Sequence, residues 1–143
     1  MAPTGPEVGP GMAAITEPYY EGLVRGELML QHCKGCDRAI MYPRHLCPFC
    51  HAGDLDWVVS YGRGVLHSFT VQRLGEPTGF GEDTPYALGV VKLSEGVQLL
   101  GRLWPGADGG WDAYTCDAPV EFRPAAAHEA RRRPVAWFGP VLR

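Results

Sequence analysis

At 143 residues, 45% of them hydrophobic and 20% charged, the chain has the length of one ordinary domain or of two very small ones, which excludes a large multidomain enzyme. Its net charge of −3 argues against nucleic-acid binding driven by charge. No apolar run approaches the roughly 18 residues of a membrane-spanning helix.

The 19 Gly and 13 Pro are spread along the chain and cut it into short elements, so the expected class is mainly β. Residues 1–15 begin with a stretch rich in Pro and Gly, Met1 to Ala13, that has no basic residue. They read as a disordered tail and lack the positive start and apolar stretch of a secretory signal. The expected compartment is therefore the cytoplasm, where paired cysteines serve metals more often than disulfides.

Residues 16–31 are expected to form a short helix, because Tyr19, Tyr20, Leu23, Val24 and Leu28 recur on one face. Thr16 suits the N-cap and Pro18 the first turn. Gly22 and Gly26 each cost such a helix about 1 kcal/mol relative to Ala. It needs a surface to pack on, and its Tyr19/Tyr20/Leu23 face is a candidate docking surface for a partner.

Residues 32–57 carry Cys33-Lys34-Gly35-Cys36 and, ten residues on, Cys47-Pro48-Phe49-Cys50. Two such knuckles bring four thiolates around one tetrahedral ion. With every position filled by sulfur there is no place for a reacting water, so the ion is structural. Zinc and iron fit the spacing equally. Cys47 to His51 also matches the Cys-x-x-Cys-His haem signature, but that attachment follows export. A thioredoxin-type pair requires a βαβ unit that the flanking sequence does not offer. His32, His45 and His51 border the site and are read as bystanders. Cys116 stands alone and is read as a buried apolar residue.

Residues 58–143 are expected to form a five-stranded barrel of the OB type. Its strands are a long one over 58–71 bent at Gly62 and Gly64, the pair 86–93 and 97–104 joined at Ser94-Glu95-Gly96, and two more over 119–122 and 134–141. Gly75 to Pro85 reads as a loop.

Hydrolase, zinc-protease, phosphate-loop and dinucleotide motifs are all missing from the sequence. Glu95 and Asp83 fall in turns, His67 on a strand and His128 in a polar connection, so none makes a catalytic set. Arg131-Arg132-Arg133 reads as a solvated turn. With Trp104, Trp111 and Trp137 it permits a rival function, single-stranded nucleic-acid binding on a barrel face; the acidic balance favours placing those indoles in a core.

The stretches Gly26 to Cys36, Tyr42 to Cys50, Gly62 to Val71 and Pro85 to Gly96, read together, resemble the family first described as domain of unknown function thirty-five. In it a rubredoxin-like zinc ribbon is fused to an acyl-CoA-associated OB-fold. Where members carry a Gly-Met pair before the fourth barrel strand, this chain has Tyr114-Thr115-Cys116-Asp117-Ala118-Pro119. The resemblance implies an accessory subunit, not itself an enzyme, of a thiolase, acyltransferase or lipid-transfer-protein-type aldolase working on acyl-CoA thioesters in lipid or steroid side-chain degradation or polyketide-type acyl transfer. It carries over Cys33, Cys36, Cys47 and Cys50 as structural zinc ligands and an acyl-CoA held by the complex. It carries over no catalytic residue, no nucleic acid and no membrane.

Overall fold

The computed structural model describes residues 10–73 and 85–141. The expected tail over 1–9, Asp83 and nearly all of the expected Gly75 to Pro85 loop lie outside them.

Helix α1 runs from Pro10 to Arg25, with Pro18 inside it. It starts ahead of Thr16, in residues expected to belong to the tail, and stops well short of residue 31. Gly26 sets that stop. At φ 87° it takes the left-handed conformation that glycine adopts without a Cβ penalty. Its N–H donates to the Leu23 carbonyl at 3.2 Å and that of Glu27 to the Gly22 carbonyl at 2.7 Å, the paired bonds that close a helix end. A residue read as weakening the helix is thus its terminator, and the apolar residues after it belong to a strand.

That strand, β1 (Met29–Cys33), is the centre of a small antiparallel sheet, flanked by β2 (Ala39–Ile40) and β3 (Leu55–Val59). Gln31 faces Ile40 on one side, and Leu30 faces Val58 on the other. The remaining strands are β4 (Arg63–Gln72), β5 (Tyr86–Leu93), β6 (Gln98–Leu103), β7 (Pro119–Phe122) and β8 (Trp137–Pro140). They close a barrel in the order β4-β5-β6-β8-β7, with β6 and β8 parallel and β7 returning to β4. This is the five-stranded OB arrangement.

The long strand expected over 58–71 is two strands in two sheets. The chain breaks at Ser60 to Gly62, where Gly62 has φ 72°, so ribbon and barrel meet between β3 and β4. The irregularity within β4 falls at His67, between the paired positions Leu66 and Ser68, not at the glycines. Gly64 serves a different purpose: a Cβ there would sit 2.3 Å from the Lys92 carbonyl oxygen, so only glycine lets β4 and β5 approach this closely.

Leu66, Val91, Leu99, Leu103, Val120 and Phe138 fill the barrel, and Tyr19, Leu23, Leu28 and Leu30 join the same buried cluster. The α1 face expected to dock a partner is therefore spent within the chain; of its aromatic pair only Tyr20 is exposed, at 43%. A helix, α2 (Ala127–Arg132), occupies the stretch expected to be a polar connection around His128, and it packs on α1. Arg131 and Arg132 form its last turn, where positive charge meets the carbonyl end of the helix favourably, and Arg132 pairs with Glu129 at 3.1 Å. The arginine run thus ends a helix instead of forming a turn.

Candidate metal centre

Each knuckle is built the same way. The Cys33 N–H donates to the Arg38 carbonyl at 2.9 Å, and the Asp37 N–H returns to the Cys33 carbonyl at 2.8 Å. In the second knuckle Cys47 donates to Ala52 at 2.9 Å and His51 to Cys47 at 2.9 Å. The residue after each second cysteine, Asp37 at φ 61° and His51 at φ 65°, takes the left-handed turn that lets the chain double back. Backbone N–H groups approach the sulfurs, Cys36 N–H to Cys33 Sγ at 3.5 Å and Phe49 N–H to Cys47 Sγ at 3.3 Å. Such bonds favour thiolate over thiol.

The result is one cluster. The Sγ atoms of Cys33, Cys36, Cys47 and Cys50 all lie within 4.8 Å of one another, with Cys33 to Cys50 at 3.5 Å and Cys36 to Cys47 at 3.6 Å. Zinc–sulfur bonds of about 2.3 Å at tetrahedral angles put sulfurs about 3.8 Å apart, so the donor set fits one four-coordinate ion. Burial and then the neighbouring thiols push Cys36 up to about 12. At Cys47 burial opposes ionisation, but the N–H groups of Cys50 and Phe49 together with the Cys36 and Cys33 thiols outweigh it and bring the thiol down to about 6. A divalent ion supplies the charge that four thiolates in one place require.

Cys33 and Cys47 are fully buried, sharing a small apolar cluster with Ile40. The histidines take other work. His32 is held between Asp56 at 3.0 Å and Asp37 at 2.6 Å; the bond to Asp37, then that to Asp56, raises its pKa. His45 is exposed, and His51 supplies the left-handed turn.

The other residues singled out in the sequence do not assemble into a site. Cys116 is exposed, contrary to the buried position expected of it, because the stretch before β7 runs as surface turns with Asp117 at φ 68°. A carboxylate oxygen of Glu95 accepts the Tyr61 N–H at 2.9 Å, tying the β5–β6 turn to the start of the barrel. His67 and His128 are exposed. Trp111 and Trp137 are buried. The Trp111 indole N–H donates to the Leu103 carbonyl at 2.9 Å, and Trp137 lies between the Trp104 ring at 4.0 Å and the Arg102 guanidinium at 4.7 Å. Neither presents a face on which a base could stack, which disfavours the nucleic-acid reading.

Sequence reasoning missed the contact that joins the two sheets. Tyr42, in the loop after β2, reaches the barrel, and its hydroxyl oxygen accepts the Leu100 N–H of β6 at 2.8 Å. Nothing in the local sequence signals this pairing, which spans 58 positions.

Comparison with known proteins follows the same division. Residues 21–56 match the rubredoxin-like zinc ribbon domain of ChsH2, and residues 57–123 match the C-terminal OB-fold domain of ChsH2. The benzoylsuccinyl-CoA thiolase subunit BbsA of Thauera aromatica is 29% identical over 80% of this chain and 69% of its own length. The 3-oxo-4,17-pregnadiene-20-carboxyl-CoA hydratase alpha subunit of Mycobacterium tuberculosis is 31% identical over 69% of this chain. The chain spans only 30% of that subunit and 26% of a probable enoyl-CoA hydratase alpha subunit from Thermomonospora curvata. Among solved structures, a chain of an Ltp2–ChsH2(DUF35) aldolase superposes with a TM-score of 0.73 at 24% identity, covering 96% of this chain and 100% of that one. The two adjoining domain matches, in the order of the two sheets, place the chain in the ChsH2 (DUF35) family of zinc-ribbon and OB-fold proteins.

Proposed function

We propose that this chain is a non-catalytic accessory subunit that binds and supports a thiolase-superfamily enzyme acting on acyl-CoA thioesters, with one structural zinc ion held by Cys33, Cys36, Cys47 and Cys50. The observation that carries the reading is the likeness to a CoA-thioester thiolase subunit over four-fifths of the chain. Two further points support it. Among the described residues the four cysteines are the one cluster of three or more metal-ligating side chains, and an ion enclosed by four thiolates has no open position for a substrate. The hydratase relative, named for a pregnadiene-carboxyl-CoA substrate, supports a place in steroid or lipid side-chain degradation. In this reading the partner supplies the reacting groups and the complex holds the acyl-CoA. Five free cysteines suit a cytoplasmic setting.

The test is co-expression with a thiolase-like protein from the same organism. Co-purification as a defined hetero-oligomer, with the partner's activity or stability falling when the chain is left out, is the expected result. A monodisperse chain that neither binds that enzyme nor alters its rate sinks the proposal. Metal analysis of the purified protein is expected to return one equivalent of zinc and no visible colour; a red sample points to iron instead. Cys33→Ser and Cys50→Ser are each expected to release the ion.

A further inference from the structure

Of the large apolar side chains left exposed among the described residues, Tyr20, Tyr42 and Leu100, at 43%, 48% and 50%, converge on one groove of about 420 Å³. They come from three parts of the chain: α1, the ribbon loop after β2, and the outward face of β6. Tyr42 is held over the barrel by the bond that its hydroxyl oxygen accepts from the Leu100 N–H. The ribbon therefore supplies one wall of a groove whose other walls belong to the helix and the barrel.

The groove has a charged rim of one sign. A neighbouring cavity of about 370 Å³ shares Pro134 and Val135 with it and is lined by Arg102, Arg132 and Arg133. No carboxylate lines either cavity, although the chain has 16 acidic residues against 13 basic ones. Arg132 is half-exposed, and its pair with Glu129 costs little to exchange for another carboxylate. Exposed apolar surface gathered in one place and rimmed by charge marks an interaction face. Tyrosine and arginine are also the residue types that carry most binding energy between proteins. A second copy of this chain brings the same arginines and no carboxylate in the groove to answer them, so the complement belongs to a different protein.

We propose that this groove is the seat of the partner enzyme, taking from it a segment that lays bulky apolar side chains against Tyr20, Tyr42 and Leu100 and sets carboxylates on Arg132 and Arg133. The identity of the occupant rests on the accessory-subunit reading. Because Tyr42 belongs to the ribbon while Tyr20 and Leu100 do not, the seat is complete only when the ribbon is folded. Metal occupancy thereby controls docking, at a distance from the ion itself.

The test is calorimetric titration of the full, metal-loaded chain with a thiolase-like protein from the same organism. Tyr20→Ala combined with Leu100→Asp is expected to weaken binding at least tenfold. Arg132→Glu is expected to weaken it severalfold and to flatten its dependence on salt. Each variant should keep one equivalent of zinc and a melting temperature within a few degrees of the unaltered chain. In the complex of the unaltered chain, amide exchange should slow over residues 98–100 and 131–136, a readout that needs no variant to fold. Chelation should release the partner while the near-ultraviolet signal of the barrel persists; a partner retained after chelation overturns the metal's control. Binding unmoved by the substitutions, with no added protection at those amides, overturns the seat and leaves the accessory-subunit reading standing. Absence of binding by the unaltered chain sinks both. A dimer of the chain alone that Leu100→Asp dissolves, or displacement of the partner by coenzyme A, gives the groove to another occupant and overturns the proposal.

Discussion

His51 stands directly after Cys50, yet its conformation explains its position better than its imidazole does. At φ 65° it sits where an L-residue pays about 1–2 kcal/mol that glycine avoids. His51→Gly is therefore expected to keep one equivalent of zinc with no loss of stability, and His51→Val, whose β-branched side chain is a genuine outlier at positive φ, to keep the zinc while lowering the midpoint in chemical denaturation. A drop in zinc stoichiometry in both variants assigns the ring a ligand's role instead. Gly101 makes a second point about backbone space. A Cβ there would lie 2.8 Å from the Ala136 carbonyl oxygen and 2.9 Å from the Phe138 ring, directly beside the parallel β6–β8 pairing. Gly101→Ala should destabilise the barrel by about 1–3 kcal/mol, read as a lower denaturation midpoint with unchanged metal content.

Between elements, the Tyr42 hydroxyl takes over from β8. That strand pairs with β6 only at Arg102 and Leu103, so the Leu100 N–H needs another partner, and the phenol oxygen supplies it at 2.8 Å. Tyr42→Phe removes the bond and exposes the N–H to water, with an expected loss of about 0.5–1.5 kcal/mol. An unchanged midpoint means that water replaces the phenol without cost. The elements also show what the sequence carries and what it does not. The two knuckles and the β5–β6 hairpin are legible because their signals are local: cysteine spacing in one, a glycine turn between two apolar runs in the other. Gly26 was visible but ambiguous, because a glycine inside a helix and one that ends it look alike until the residues beyond it find strand partners. The break at Ser60 to Gly62 was hidden for a related reason. Apolar residues continue on both sides of it, and only pairing with β1 or with β5 decides which sheet each half joins. The α2 helix, six residues long, is too short for its spacing to stand out. The outward position of Cys116 depends on turns whose geometry is set from elsewhere in the barrel.

For the whole molecule, the ribbon and the barrel differ in what sustains them. The ribbon's own buried cluster is Cys33, Ile40 and Cys47, too little apolar surface to hold a sheet without metal. The barrel has a core of its own. Chelation is therefore expected to collapse the ribbon at a concentration that leaves most barrel signal intact, seen as partial loss of amide-exchange protection confined to residues 29–59. Acid should do the same. Ion binding holds the folded-state thiols far below the roughly 8.5 of an unfolded cysteine. Stability from the metal is thus fully present above that value and declines as pH falls and protons displace the ion. Zinc release on acidification, measured with a colorimetric chelator, should precede loss of the near-ultraviolet signal from Trp111 and Trp137; simultaneous loss indicates a single cooperative unit.

Strand β1 belongs to both bodies at once, sending Leu30 into the barrel's cluster and Cys33 into the ribbon's. The barrel closes only when β4 meets β7, a pairing of distant segments that pays a large loop-closure entropy. The knuckles lie close in sequence and close cheaply. Once an ion has gathered them, Leu30 is already held on a fixed strand with Leu28 just before it, a template against which the later strands condense. The metal therefore acts on the timetable of folding as well as on its end point, and a newly made chain starved of zinc loses the early half of its route to the barrel.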